Sequence, residues 1–188
     1  MRYSQIRSMD ISNGEGVGVS LFVQGCPIHC KNCFNSDTWD FNGGKKWTEK
    51  IKNDFLSLLD KPYITRCSFL GGEPLALQNV NEIYNIICNI HCNFPEKKIW
   101  LYTGYKLEDI YDLTYKEMFN KFNEDDFKKV YEANELRKKA ISMCNILVDG
   151  QYIDDLKDQK LKFCGSKNQR VIDVKKTFSQ KKIVLYCN

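Results

Sequence analysis

Apolar residues recur along this chain in short runs and in helical stripes, and the two alternate. Val17–Val23 is rich in apolar and β-branched residues and predicts a first strand. Thr48 can N-cap a helix running through Asp60, with Ile51, Phe55, Leu58 and Leu59 on one stripe and Pro62 as its stop. Cys67–Leu70 is a short apolar strand, and Val80, Ile83, Ile87 and Ile90 then repeat at helical spacing. Ile99–Tyr102 predicts another strand, Lys106–Lys139 reads as mostly helical, and Cys144–Gly150 reads as strand and turn. Val171–Val174 and Ile183–Tyr186 are expected as late short strands, whereas residues 1–16 and 35–47 are polar and read as turn and loop. Alternating strands and helices argue an α/β fold with a parallel sheet. No repeat, linker or composition break divides residues 1–188, so one domain is expected. At this length an incomplete (β/α) barrel of five or six strands is more plausible than a full eight.

Composition narrows the class. A chain of 188 residues with 43% hydrophobic content can bury a real core. Its net charge of +4 is only mildly basic, without the clustered stripe that nucleic-acid binding needs. No apolar segment follows Met1 and no run of 18 apolar residues occurs, so neither secretion nor a membrane span is expected. Nine cysteines in such a chain point to a reducing compartment and metal chemistry, and the cytoplasm is the expected location.

The chemistry concentrates after the first strand. Cys26, Cys30 and Cys33 stand at C-x3-C-x2-C within one loop, a spacing that can present three thiolates to a soft metal or an iron–sulfur cluster. Structural zinc wants four ligands; His29 could supply the fourth, but it adjoins Cys30, which makes joint tetrahedral ligation awkward. Three cysteines on a four-iron cluster leave one iron open to a small ligand. Downstream, Gly71-Gly72-Glu73-Pro74 ends a strand, where glycines let backbone approach a ligand and the Glu73 carboxylate can accept from an ammonium. Gly14 and Gly16 flank Glu15 in a turn, or at a close approach to something bulky. Thr103 is a candidate ligand contact, and Asp149 reads first as turn stabilisation. Cys88 and Cys92 share a helix face beside His91, yet these two and Cys67, Cys144, Cys164 and Cys187 read as small buried hydrophobes rather than a second metal site. Glu124-Asp125-Asp126 and Arg137-Lys138-Lys139 read as solvated faces.

The cysteine loop resembles the signature of the radical S-adenosylmethionine (SAM) enzymes. The likeness extends to Asp10–Gly16, Leu70–Leu75, Trp100–Leu107, Asn145–Gly150 and Gly165–Arg170, in order. Together these are similar to the family that activates anaerobic (class III) ribonucleotide reductases, over residues 3–173. The resemblance implies a radical SAM-type partial barrel in which Cys26, Cys30 and Cys33 hold a [4Fe-4S] cluster and SAM chelates the open iron. It further implies that Gly71, Gly72 and Glu73 hold the SAM amino group. Many radical SAM enzymes carry an aromatic before the third cysteine; here Asn32 occupies that position and Phe34 follows Cys33, so Asn32, Cys33 and Phe34 are implied adenine contacts. Glu15 replaces the family's proline, and Ser166, Asn168 and Gln169 match a segment near the active site. The implied reaction yields a 5′-deoxyadenosyl radical that generates a glycyl radical on the large catalytic subunit of the reductase, with flavodoxin or ferredoxin as electron donor. No side chain is assigned as acid or base. The alternatives are an activase for another glycyl-radical enzyme and a non-enzymatic metal-binding module.

Overall fold

The computed structural model describes residues 1–112 and 124–187. Its first strand lies where polarity suggested only a turn: β1 (Arg2–Asp10) runs antiparallel to β2 (Gly18–Val23). Only Tyr3 and Asp10 of β1 are buried. A strand with most of its side chains wet carries little apolar signal, which is why its sequence looks like a turn. Beyond β1, the two-residue β3 (Lys45–Lys46) forms one edge. On the other side β2, β4 (Arg66–Gly71), β5 (Lys98–Tyr102) and β6 (Ile146–Asp149) pair in parallel. The antiparallel β7 (Arg170–Asp173) closes the order β3-β1-β2-β4-β5-β6-β7. Among the described residues the outcome is a mixed α/β fold around an open sheet of seven strands. Four are parallel, fewer than the five or six βα repeats expected, because the chain enters and leaves the parallel block through antiparallel neighbours.

Helices α1 (Glu49–Leu59), α2 (Val80–Asn93), α3 (Leu107–Tyr111) and α4 (Glu124–Ser142) connect the parallel strands. Thr48 caps α1 by accepting the Ile51 N–H, as its position suggested. Of the expected Lys106–Lys139 helical region, residues 113–123 lie outside the described residues, as do the side chains of Glu124 and Asp125. Phe55 and Leu59 of α1 join Ile83, Ile87 and Ile90 of α2 in one core with Leu21, Phe69, Leu101 and Leu147 from the sheet. Strand residues of the opposite parity face the other way. There Trp100, Ile146, Val148 and Val171 pack beneath Phe163, Cys164, Tyr186 and Cys187, which belong to loops rather than helices. One sheet face therefore carries helices and the other a loop-covered interior.

The C-terminal region differs from expectation. Asp173 accepts the Lys176 N–H and caps a helix, α5 (Val174–Gln180), that the apolar pattern hides. Ile183–Tyr186 is not a strand: it touches β7 by the single Ile172–Leu185 bridge, with Tyr186 N–H donating to Val171 O at 2.7 Å.

Gly14 of the Asn13–Gly16 turn and Gly18 of β2 make room for a buried arginine. Arg66 is fully enclosed, donating to Asp10 O at 2.7 Å and Ser68 Oγ at 2.6 Å. A Cβ on Gly18 would lie 2.4 Å from Arg66 Cγ, and one on Gly14 would lie 2.8 Å from Arg66 Cδ. Ser68 Oγ in turn donates to Asn13 O, so the turn, β1 and β4 share one polar knot.

Candidate functional site

The carboxyl ends of β2, β4, β5 and β6 open on a cavity of about 180 Å3. Open α/β sheets bind ligands at this end. Beyond β2, Gly25 (φ +93°) swings the chain into the cysteine loop, packed so closely that a Cβ would sit 2.1 Å from the Phe41 ring. Cys26, Cys30 and Cys33 all line the cavity, opposite Gly71, Gly72 and Glu73 after β4, Thr103 and Gly104 after β5, and Gly150 after β6.

Backbone N–H groups surround the sulfurs. Cys26 faces the N–H groups of Ile28 and His29, Cys30 faces that of Tyr152, and Cys33 Sγ accepts from Asn35 at 3.4 Å. Burial pushes the Cys26 and Cys30 thiols up, and these donors oppose it by favouring the thiolate. His29 turns its ring away to stack on Trp39 at 4.5 Å. Among the described residues no three His, Cys, Asp or Glu side chains are grouped to share one metal ion.

Glu73 is 1% exposed. Its Oε1 accepts from Leu75 N–H at 2.9 Å and the Thr103 hydroxyl at 2.8 Å, and its Oε2 from Gly104 N–H at 2.8 Å. Burial raises its carboxyl above the ordinary range, against the pull of those donors and of the Arg137 charge. Arg137, expected on a solvated face, instead turns inward: Nε donates to Leu75 O at 2.8 Å and the guanidinium lies 5.0 Å from the Tyr105 ring centre. Of the rest of that run, Lys138 is half-buried and paired to Glu135, and Lys139 is exposed. Thr103 serves Glu73 rather than standing free.

Two buried amides brace these loops, Gln24 tying the start of the cysteine loop to its end and Asn79 holding it to the Gly-Gly-Glu loop, and neither had a sequence signal beyond being polar. Gln24 Nε2 donates to Asp37 O and Asp40 O, and Asn79 Nδ2 donates at 3.0 Å to both Gln24 O and Glu73 O. Glu73 N–H completes the contact by donating to Gly25 O at 2.8 Å.

Asn32 and Phe34 engage the segment after β6. Asn32 Nδ2 donates to Asp154 Oδ2 at 2.6 Å, while the Tyr152 hydroxyl donates to Asp154 Oδ1 at 2.7 Å. The Phe34 ring lies 5.6 Å from the Tyr152 ring and 5.0 Å from Lys157 Nζ. Asp149 is buried away from the cavity, accepting Leu107 N–H and both arms of Arg170, which also forks onto Glu108. The Arg170 contact holds Glu108 down to about 2. Gln169 reaches the cavity wall and clasps Gly165 N–H and Gly150 O, Ser166 Oγ accepts from Ile153 N–H, and Asn168 Nδ2 donates to Gln151 O. All nine cysteines are unpaired. Cys67 and Cys144 are buried under the helices, Cys88 is half-buried and Cys92 exposed on α2, and Cys164 and Cys187 lie against the Trp100 cluster.

Comparison with known proteins supplies the lineage. A family profile described as a 4Fe-4S single cluster domain matches residues 12–172. The chain is 36% identical over 173 residues to the anaerobic ribonucleoside-triphosphate reductase-activating protein of Salmonella typhimurium, covering 91% of this chain and 97% of the relative. The protein of that name from Enterobacteria phage T4 is 35% identical over 171 residues, covering 91% and 93%. That from Vibrio cholerae is 29% identical over 171 residues, covering 90% and 96%. With its three cysteines on one cavity and these relatives matching it nearly end to end, the chain belongs to the family of anaerobic ribonucleoside-triphosphate reductase-activating proteins, built on a 4Fe-4S single cluster domain.

Proposed function

We propose that this protein activates an anaerobic ribonucleoside-triphosphate reductase by radical SAM chemistry, generating a glycyl radical on the large catalytic subunit. The observation that carries this reading is one cavity lined by Cys26, Cys30 and Cys33 from one loop and by buried Glu73 from the loop facing it. Cys26, Cys30 and Cys33 are the cluster ligands. The C-x3-C-x2-C loop supplies three thiolates, which on a four-iron cluster would leave one iron open.

The walls fit the proposed occupants. N–H groups facing the sulfurs offset part of the burial cost of the thiolate form that ligation needs. Gly104 leaves space that a Cβ would take from Ile28, at 2.4 Å from Cδ1, and Gly71 with Gly72 brings bare backbone to the rim. The Tyr102 hydroxyl, also on the wall, is buried without a partner among the described residues, a vacancy for a polar ligand group. When bound, a reduced [4Fe-4S] cluster supplies the electron that cleaves SAM and so provides a carbon radical able to take a hydrogen atom from glycine. Glu73 accepts from the SAM ammonium, Gly71 and Gly72 admit it, and the Phe34 ring with the backbone of Asn32 and Cys33 borders the adenine. No side chain acts as acid or base.

We read the open sheet as a radical SAM-type partial barrel and residues 1–188 as one catalytic domain, supported by one continuous sheet. The open shape admits a peptide loop. A low-potential flavodoxin or ferredoxin is the proposed electron donor. No helix among the described residues is long and apolar enough to cross a membrane. Nine unpaired thiols support a reducing cytoplasm as the working compartment.

Reconstitution under anaerobic conditions tests the reading. The expected result is iron and sulfide near four per chain and cleavage of SAM to 5′-deoxyadenosine, both abolished by Cys26→Ala, Cys30→Ala or Cys33→Ala and spared by Cys88→Ala or Cys92→Ala. An intact cluster with full SAM cleavage in any of the first three variants would overturn the ligand assignment.

A further inference from the structure

We propose that Arg137 is a positioning residue that readies Glu73 to receive the α-ammonium group of SAM, an inference that rests on the SAM reading above. Arg137 stands on α4, 62 residues beyond Leu75 in sequence, yet its Nε donates to Leu75 O at 2.8 Å. Its guanidinium also covers the Tyr105 ring. Tyr105 N–H donates to Thr103 Oγ1, and the Thr103 hydroxyl donates to Glu73 Oε1. One side chain thus braces both loops that hold Glu73, residues 71–75 and 103–105.

A fully buried carboxylate is costly to keep ionised, and three neutral donors offset that cost only in part. Before an ammonium arrives, the positive charge of Arg137 favours the ionised form. Arg137 is absent from the cavity wall itself, so it acts through Glu73 rather than on ligand. It therefore matters for ligands that carry the ammonium and not for those that lack it.

The test compares SAM with 5′-methylthioadenosine, which keeps the adenosine and sulfur but lacks the amino-acid end. Binding of each to cluster-loaded wild type, Arg137→Gln and Arg137→Lys is measured by equilibrium dialysis. Arg137→Gln keeps a donor for Leu75 O while removing the charge. The expected result is SAM binding about tenfold weaker in Arg137→Gln, 5′-methylthioadenosine binding unchanged, and SAM binding largely restored in Arg137→Lys. Equal weakening for both ligands would reduce Arg137 to a packing residue and overturn the inference. So would SAM binding in Arg137→Gln equal to wild type. Wild type that binds no SAM would overturn the SAM reading and this inference with it.

Discussion

Replacing Gly72 by alanine places a methyl group where the backbone of the cysteine loop already stands. The added Cβ would lie 2.5 Å from Gly25 O, 2.9 Å from its carbonyl carbon and 3.1 Å from Thr38 O. Carbon and oxygen in contact rest about 3.3–3.6 Å apart, so one loop must retreat by roughly 1 Å. Every atom in the way is main chain, and no side chain can swing aside. The retreat pulls on Glu73 N–H to Gly25 O at 2.8 Å and on Gly72 N–H to Val23 O at 2.9 Å, the bonds that set the cysteines against Glu73. Overpacking of this kind costs about 1–3 kcal/mol, which in a chain of this size lowers Tm by roughly 2–12 °C. Because a 1 Å displacement inside a reacting site can slow chemistry about a hundredfold, SAM cleavage should fall further than stability does. Melting of the apoprotein and 5′-deoxyadenosine release by the reconstituted protein separate the two effects. A Gly72→Ala protein as stable and as active as wild type would refute the steric argument.

Three further outcomes follow from the buried polar groups and the loop contacts. Asp10 is driven upward by burial, but hydrogen bonds from Asn13 and Ser12 outweigh it and hold the carboxyl at about 2, against an ordinary 3.8. A depressed carboxyl stabilises the fold above pH 3.8 and loses that contribution as pH falls toward 2; it is worth about 2 kcal/mol, and denaturant titrations should show this acid loss diminished in Asp10→Asn. Arg66→Met strands Asp10 without its buried partner and should destabilise by about 3 kcal/mol, with part of the loss recovered in the Arg66→Met, Asp10→Asn double variant; additive losses in chemical denaturation would contradict the pairing. Asp154→Ala frees Asn32 and Tyr152 together, so the reconstituted variant should release iron to a chelator faster than wild type, and Asp154→Asn, which can accept from Asn32 with its one carbonyl oxygen and donate its amide to the Tyr152 hydroxyl oxygen, should not; equal rates in all three would refute the clasp.

The parts of the molecule legible in sequence were those with strong local chemistry. β2, β4, β5 and β6 are apolar because they are buried on both faces, and α1 and α2 show their stripes because one side of each meets the core. The cysteine spacing and the Gly-Gly-Glu turn declared themselves in the same way. Less legible were elements whose partners come from far along the chain. β1 is wet on most of its length, and α5 is only seven residues long. Arg137 sits in a run of like charges, and nothing local distinguishes the one side chain that turns inward from Lys138 and Lys139. Buried Arg66 shows the same limit, since its enclosure depends on Gly14 and Gly18 lying against it after the sheet has formed. Gln24 and Asn79 are ordinary amides until the fold brings the carbonyls of Asp37, Asp40 and Glu73 to them.

On the proposed function, this cavity delivers a radical to a glycine of the reductase. Electron paramagnetic resonance tests it most directly, on reconstituted, reduced protein mixed with SAM and the large catalytic subunit of an anaerobic ribonucleotide reductase. A glycyl-type doublet that grows on the large subunit, and is absent with Cys30→Ala, is the predicted result. Turnover of SAM to 5′-deoxyadenosine with no doublet on that subunit would contradict the claim.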